Sequence, residues 1–97
     1  MAYDPGAIDA TLAAAVGDDP ALIVELRLAF VEGVADALAS LRQASDPETW
    51  CVAAWRLKGL AASFGAVRLM ALAGEAVAGG EPDAALLVRL TRLASRL

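Results

Sequence analysis

The run Ala54-Trp55-Arg56-Leu57-Lys58-Gly59-Leu60-Ala61-Ala62-Ser63-Phe64-Gly65-Ala66 is the most informative segment of this 97-residue chain. Cys51, Ala54, Leu57, Ala61 and Phe64 recur at helical intervals, which predicts a helix with one buried stripe. With Leu57 turned inward, Trp55 points to the opposite side. Residues three and four apart share a helix face. Val52 therefore lies one turn before Trp55, Lys58 and Gly59 one turn beyond it, and Ala62 a further turn on. Gly65 supplies the left-handed residue that commonly ends a helix.

Working outward, four acid-proline pairs punctuate the chain: Asp4-Pro5, Asp19-Pro20, Asp46-Pro47 and Glu81-Pro82. Proline fits the first helical turn, where its missing N–H costs nothing. An acid before it can cap the free N–H groups and complement the helix dipole. The stops are Gly17, Gly65 and the pair Gly79-Gly80. These signals predict helices from Pro5 to Val16, Pro20 to about Ala44, Pro47 to about Phe64, Ala66 to Ala78, and Pro82 to the end.

In the second helix Leu22, Leu26, Phe30, Val34, Ala37 and Leu41 form the expected inner face, with Glu25, Glu32, Asp36 and Gln43 away from it. In the last, Leu86, Leu90, Leu93 and Leu97 form a seam opposite Arg89, Arg92 and Arg96. No segment alternates with period two, and no repeat or low-complexity linker is present. The expectation is one all-α domain over residues 1–97. It would be an antiparallel four-helix bundle over about residues 18–97, with the short first helix as a cap.

Composition supports this and narrows the function. Hydrophobic residues make up 59% of the chain, dominated by Ala and Leu, which enter helices at little cost. The net charge is −4, which argues against nucleic acid as a partner. The charge is uneven. Up to Trp50, nine acids face only Arg27 and Arg42, a balance of −7; beyond it, six bases outnumber three acids, a balance of +3. The second half can thus offer a basic face to an acidic partner.

Charges interrupt every apolar run well before the ~18 residues of a membrane span, so no membrane is expected. The acidic N-terminus does not resemble a signal peptide. Cys51 is the only cysteine, which excludes an internal disulfide and suits a reducing cytoplasm. Without histidine, only scattered carboxylates and one thiol remain, which argues against a metal site, and no cofactor loop or Ser-His-Asp set is present.

The segment from Ala54 to Ala66 resembles the signature of the histidine-phosphotransfer (HPt) family, H-x-L-K-G followed six residues later by Gly. Leu57, Lys58, Gly59, Gly65 and the flanking Ala54 and Ala66 stand where that pattern wants them. Asp19-Pro20, Asp46-Pro47 and Glu75 are in register too, so the resemblance covers about residues 18–97. It implies an exposed histidine that takes a phosphoryl group from an aspartate on a receiver domain. It further implies a lysine that neutralises phosphate charge and a glycine that lets the partner approach.

This chain departs from the pattern at its centre. Trp55 occupies the phospho-acceptor position, and no other residue supplies an imidazole. An indole N–H only donates, so it cannot act as the nucleophile. The expectation is an HPt-like protein without catalytic residues. It would bind a receiver domain, of a response regulator or hybrid kinase, or a histidine-kinase partner, through Val52, Trp55, Arg56, Lys58, Gly59, Ala62 and Ser63. Tryptophan is enriched at interface hot spots, and a mid-helix Gly59 costs ~1 kcal/mol against alanine, a cost that close approach of a partner, or a helix–helix contact within the bundle, would explain.

Other readings stay open. Trp55 could fold over a neighbouring helix, or its patch could meet its own copy in a homodimer. It could also replace the histidine of an active phosphotransfer protein. Trp50 is expected to pack at the end of the bundle, and Cys51 to be a buried structural thiol. Arg89, Arg92 and Arg96 are expected to form a solvated face.

Overall fold

Helix starts follow from aspartates that reach the first free N–H groups. The computed structural model of the chain describes residues 5–17 and 19–97. Five helices, and no strand, occur among them: α1 Pro5–Val16, α2 Pro20–Gln43, α3 Pro47–Ser63, α4 Val67–Gly79 and α5 Ala84–Ala94. Asp19 Oδ1 accepts from the N–H groups of Ala21 at 3.1 Å and Leu22 at 3.2 Å. Asp46 Oδ1 accepts from the Thr49 N–H at 2.8 Å and its Oγ1 at 2.9 Å. The predicted Asp4 cap lies outside the described residues.

The start of α5 corrects the sequence reading. The helix begins two residues after Pro82, with Asp83 as its cap, and Asp83 Oδ1 accepts from the Leu86 N–H at 3.0 Å. Glu81 and Pro82 instead span the turn that leaves α4 through Gly80, whose φ is +73°. A short aspartate side chain reaches the N3 amide more readily than a glutamate placed before proline. The far end differs as well. α5 stops at Ala94 rather than running to Leu97, and the Ser95 hydroxyl donates back to the Arg92 carbonyl at 2.6 Å.

The junction of α3 and α4 is set by Gly65, at φ +72°. The Ala66 N–H reaches back to the Ala61 carbonyl at 2.9 Å, and the Gly65 N–H points to that of Ala62 at 3.4 Å. This is the paired pattern of a Schellman end, which occupies carbonyls that a helix terminus otherwise leaves free. Ala61 and Ala66, both buried, provide the apolar contact that accompanies it. Ala66 is thereby used as the cap, and α4 runs one residue later than predicted, from Val67 to Gly79.

The core draws on every helix. Ile8 and Leu12 come from α1, and Phe30, Val34, Ala37, Leu38 and Leu41 from α2. Trp50, Ala53, Ala54, Leu57 and Ala61 come from α3, Leu69, Leu72, Ala73 and Ala76 from α4, and Leu86 and Leu90 from α5. No polar or charged residue is buried among the described residues. α2 packs on α3, α3 on α4 and α4 on α5; α5 returns to α2, and α1 rests on α2.

Departures from the predicted stripes fall at element ends. Leu22, in the first turn of α2, is exposed, and Leu26, in its second, is half-buried. Cys51 and Phe64 are half-buried rather than buried, and Phe64 stacks on Phe30 with ring centroids 4.7 Å apart.

Asp46 provides a pH test of the capping argument. Its hydrogen bonds from the Thr49 backbone and then the Thr49 hydroxyl hold its carboxyl below the ordinary value of 3.8. A depressed native pKa adds stability above the unfolded value, lost as pH falls through the native one. Thermal melts followed by circular dichroism from pH ~5 to ~2 should show a steeper acid loss for the wild type than for Asp46→Asn, which caps without titrating. Identical slopes would remove Asp46 from the acid response.

Candidate functional site

α3 carries the candidate face because its inner stripe is committed to the core. Leu57 and Ala54 are fully buried, so the residues between them turn outward. Trp55 is 57% exposed and Val52 67%. Arg56, Gly59, Ala62 and Ser63 are exposed too, and Lys58 is half-buried. All seven predicted site residues thus share α3, six of them open to solvent. Trp55 does not fold over a neighbouring helix into the core.

Lys58 sits differently from the rim position that spacing suggests. Its ammonium lies 4.9 Å from the centroid of the Trp55 ring, a cation–π arrangement. At an exposed site this is worth ~0.5–1 kcal/mol, enough to bias both side chains without locking them. The lysine stem runs toward α4 at Gly74, where an added Cβ would stand 4.0 Å from Lys58 Cε. The face therefore presents a cation laid on an aromatic ring. Sequence reading missed Gly74, although a glycine inside a helical pattern was the available signal.

Arg56 reaches Asp36 of α2 at 3.9 Å, with both side chains largely exposed. Such a surface pair contributes ~0–1 kcal/mol and leaves the guanidinium accessible. Beside Val52 and Arg56 a cleft of about 340 Å³ is bordered by Ser40, Glu48, Thr49 and Ala53. Sequence reading did not place Ser40, Glu48 or Thr49 near the face. Ser40 arrives from another helix, which spacing cannot show.

Gly59 faces open space: no heavy atom lies within 4 Å of where its Cβ would be, its own helix backbone aside. This separates it from Gly33, where a Cβ would stand 3.3 Å from Leu60 Cδ1 and packing explains the glycine. Packing gives no reason for Gly59. Gly59→Ala should therefore raise the unfolding free energy by ~0.5–1 kcal/mol in urea denaturation. A destabilised Gly59→Ala would mean that the position is constrained within the fold.

The remaining reactive groups stand elsewhere. The Cys51 thiol points its S–H at the Gly80 carbonyl, 3.6 Å away, on the side of α3 toward the end of α4. The Trp50 indole N–H donates to the buried Ala76 carbonyl at 3.0 Å, as expected for a core tryptophan. No group of three or more His, Cys, Asp or Glu residues that could hold a metal occurs among the described residues. Chemically, the α3 face offers an indole donor, an ammonium and small apolar contacts, with no imidazole. Comparison with protein-family models, with curated proteins and with solved structures finds no match.

Proposed function

We propose that this chain is an HPt-like binding domain of phosphorelay signalling. It docks a receiver domain, of a response regulator or hybrid kinase, through the Trp55, Lys58 and Gly59 face and carries no phosphohistidine. The closed order of helix contacts from α2 to α5 is compatible with an antiparallel four-helix bundle capped by α1. That architecture is part of the proposal. So is a reducing cytoplasmic setting, in which lone Cys51 makes no disulfide. No described helix is long and apolar enough to cross a membrane.

One observation carries the reading: an exposed tryptophan followed one turn later by a glycine with nothing above it. Large exposed apolar groups beside small residues mark interaction sites. The glycine lets a second backbone approach, and the ammonium on the ring complements an acidic pocket. The lack of any histidine excludes phosphoryl transfer by imidazole, so binding is the activity left to this face.

Calorimetric titration of the chain with purified receiver domains tests this. Saturable 1:1 binding that weakens in Trp55→Ala is expected. Binding unaffected by that change would take Trp55 out of the interface. Absence of binding to any receiver would overturn the proposal. Gly59→Ala adds a second arm, since it should bind more weakly while being more stable.

A further inference from the structure

α2 carries two apolar rows, and the core uses only one fully. The second row is Val24, Leu28, Val31, Ala35 and Leu38, spaced four, three, four and three, and it ends at Arg42. This is a helix-packing seam by spacing. α5 covers its C-terminal half. Arg42 borders a cleft of about 500 Å³ with Leu87, Val88, Thr91, Arg92 and Ser95. A second groove runs on from Arg42 to Val31, with Leu97 of the chain end on its wall. α5 thus runs back along α2 and stops near Val31. Val24 and Leu28, 64% and 57% exposed, continue the seam beyond that cover.

The two ends of this surface are complementary. At one end Val24 and Leu28 form an apolar ridge bordered by exposed Glu25 and Glu32, neither of which forms a salt bridge among the described residues. At the other end the cleft has apolar walls, including Val88 at 53% exposure. The guanidiniums of Arg42 and Arg92 border it. Arg42 donates to the Thr91 hydroxyl at 3.5 Å, and neither arginine has a carboxylate partner among the described residues. By contrast, Arg56 is paired with Asp36 and Arg89 with Glu75.

We propose that this surface binds a second copy of the chain in an isologous dimer. Ridge and cleft lie on one side of the molecule, with Leu28 and Arg42 about 21 Å apart along α2. A two-fold axis between them seats each ridge in the partner's cleft, making the contact twice and closing the assembly. Glu25 and Glu32 then face Arg42 and Arg92 of the other copy. The same pairing explains why a chain of net charge −4 keeps bases clustered near α5. No residue of this surface lies on α3, the helix that carries Trp55. This dimer does not rest on the receiver reading.

Sedimentation of the full chain at micromolar concentration and low salt should show a dimer. Leu28→Asp, or Arg92→Glu or Glu32→Arg alone, should weaken it about tenfold or more. Mixing Arg92→Glu with Glu32→Arg should restore it, because both contacts of that heterodimer are again complementary. Circular dichroism should match the wild type throughout, since these side chains are exposed. A monomer across the micromolar range overturns the proposal, as does a dimer indifferent to Leu28→Asp. Failure of the mixed pair to restore association overturns the ridge-to-cleft pairing. Loss of the dimer in Trp55→Ala assigns it to the α3 face instead and overturns the proposal too.

Discussion

Trp50→Ala should lower the unfolding free energy by about 3–5 kcal/mol, the range for emptying a core site of this size. Trp50 is 1% exposed and heads the side chains that are fully buried. It stands in the first turn of α3 and reaches across to α4 near its last turn. Its loss leaves a cavity beside Ala76, which has no side-chain length to fill it. The hydrogen bond matters less. The Ala76 carbonyl keeps the Gly80 N–H at 3.3 Å, so it is not orphaned when the indole goes.

Trp50→Phe separates the two effects. It retains most of the packing and loses the 3.0 Å bond, so it should cost only about 1–2 kcal/mol. A domain of this length has ~5–15 kcal/mol of stability in total. Trp50→Ala should therefore lower Tm by roughly 20 °C in a thermal melt. A Trp50→Ala protein as stable as Trp50→Phe would show that the bond, not the volume, is what counts.

Trp55→Ala should do the opposite. Its stability should change by no more than ~1 kcal/mol, because the ring is largely exposed and the Lys58 contact that it loses is worth ~0.5–1 kcal/mol. On the proposed function, its affinity for a receiver domain should fall about 30-fold or more, the loss typical of a hot-spot tryptophan. The two tryptophans lie five residues apart on one helix. Their contrast in stability and binding is a stringent test, since a general loss of folding would move both readouts together.

Trp55→His extends the same experiment. It restores an imidazole on the exposed face beside Lys58. Incubated with a phosphorylated receiver, this variant should take the phosphoryl group from the aspartyl carboxylate onto a ring nitrogen, while the wild type should not. Uptake by the variant would indicate a face otherwise fit for transfer. Binding without uptake would indicate a face adapted to docking alone.

Much of the architecture was legible because its signals are local. An aspartate before proline reaches N–H groups two or three residues ahead, so Asp19 and Asp46 announce their helices without help from the rest of the chain. Gly65 ends α3 for an equally local reason, a left-handed backbone closed by bonds within six residues. The start of α5 was misplaced where two acids, Glu81 and Asp83, competed to cap one helix. Which of them reaches the Leu86 N–H depends on how the chain leaves Gly80.

The candidate face was legible for the same reason: helical spacing alone puts Val52, Trp55, Gly59 and Ala62 on one side once Leu57 is inside. Its detail was not. Lys58 could extend to solvent or lie on the Trp55 ring. Its stem runs toward Gly74 on the next helix, a residue 16 positions away in the chain.

Returning to the segment from Ala54 to Ala66, the sequence by itself determined a helix, its inward stripe, its end at Gly65 and the absence of an imidazole. Those follow from short-range geometry and from residue chemistry. Only the tertiary structure decided how much of the second apolar row of α2 is covered. Periodicity picked out the inner row, of which Phe30, Val34, Ala37 and Leu41 are buried, but it is silent on the cover of the second row. That extent is set by length. α2 spans about 36 Å and α5 about 16 Å at 1.5 Å per residue, so the shorter helix covers Leu38 and leaves Val24 and Leu28 exposed.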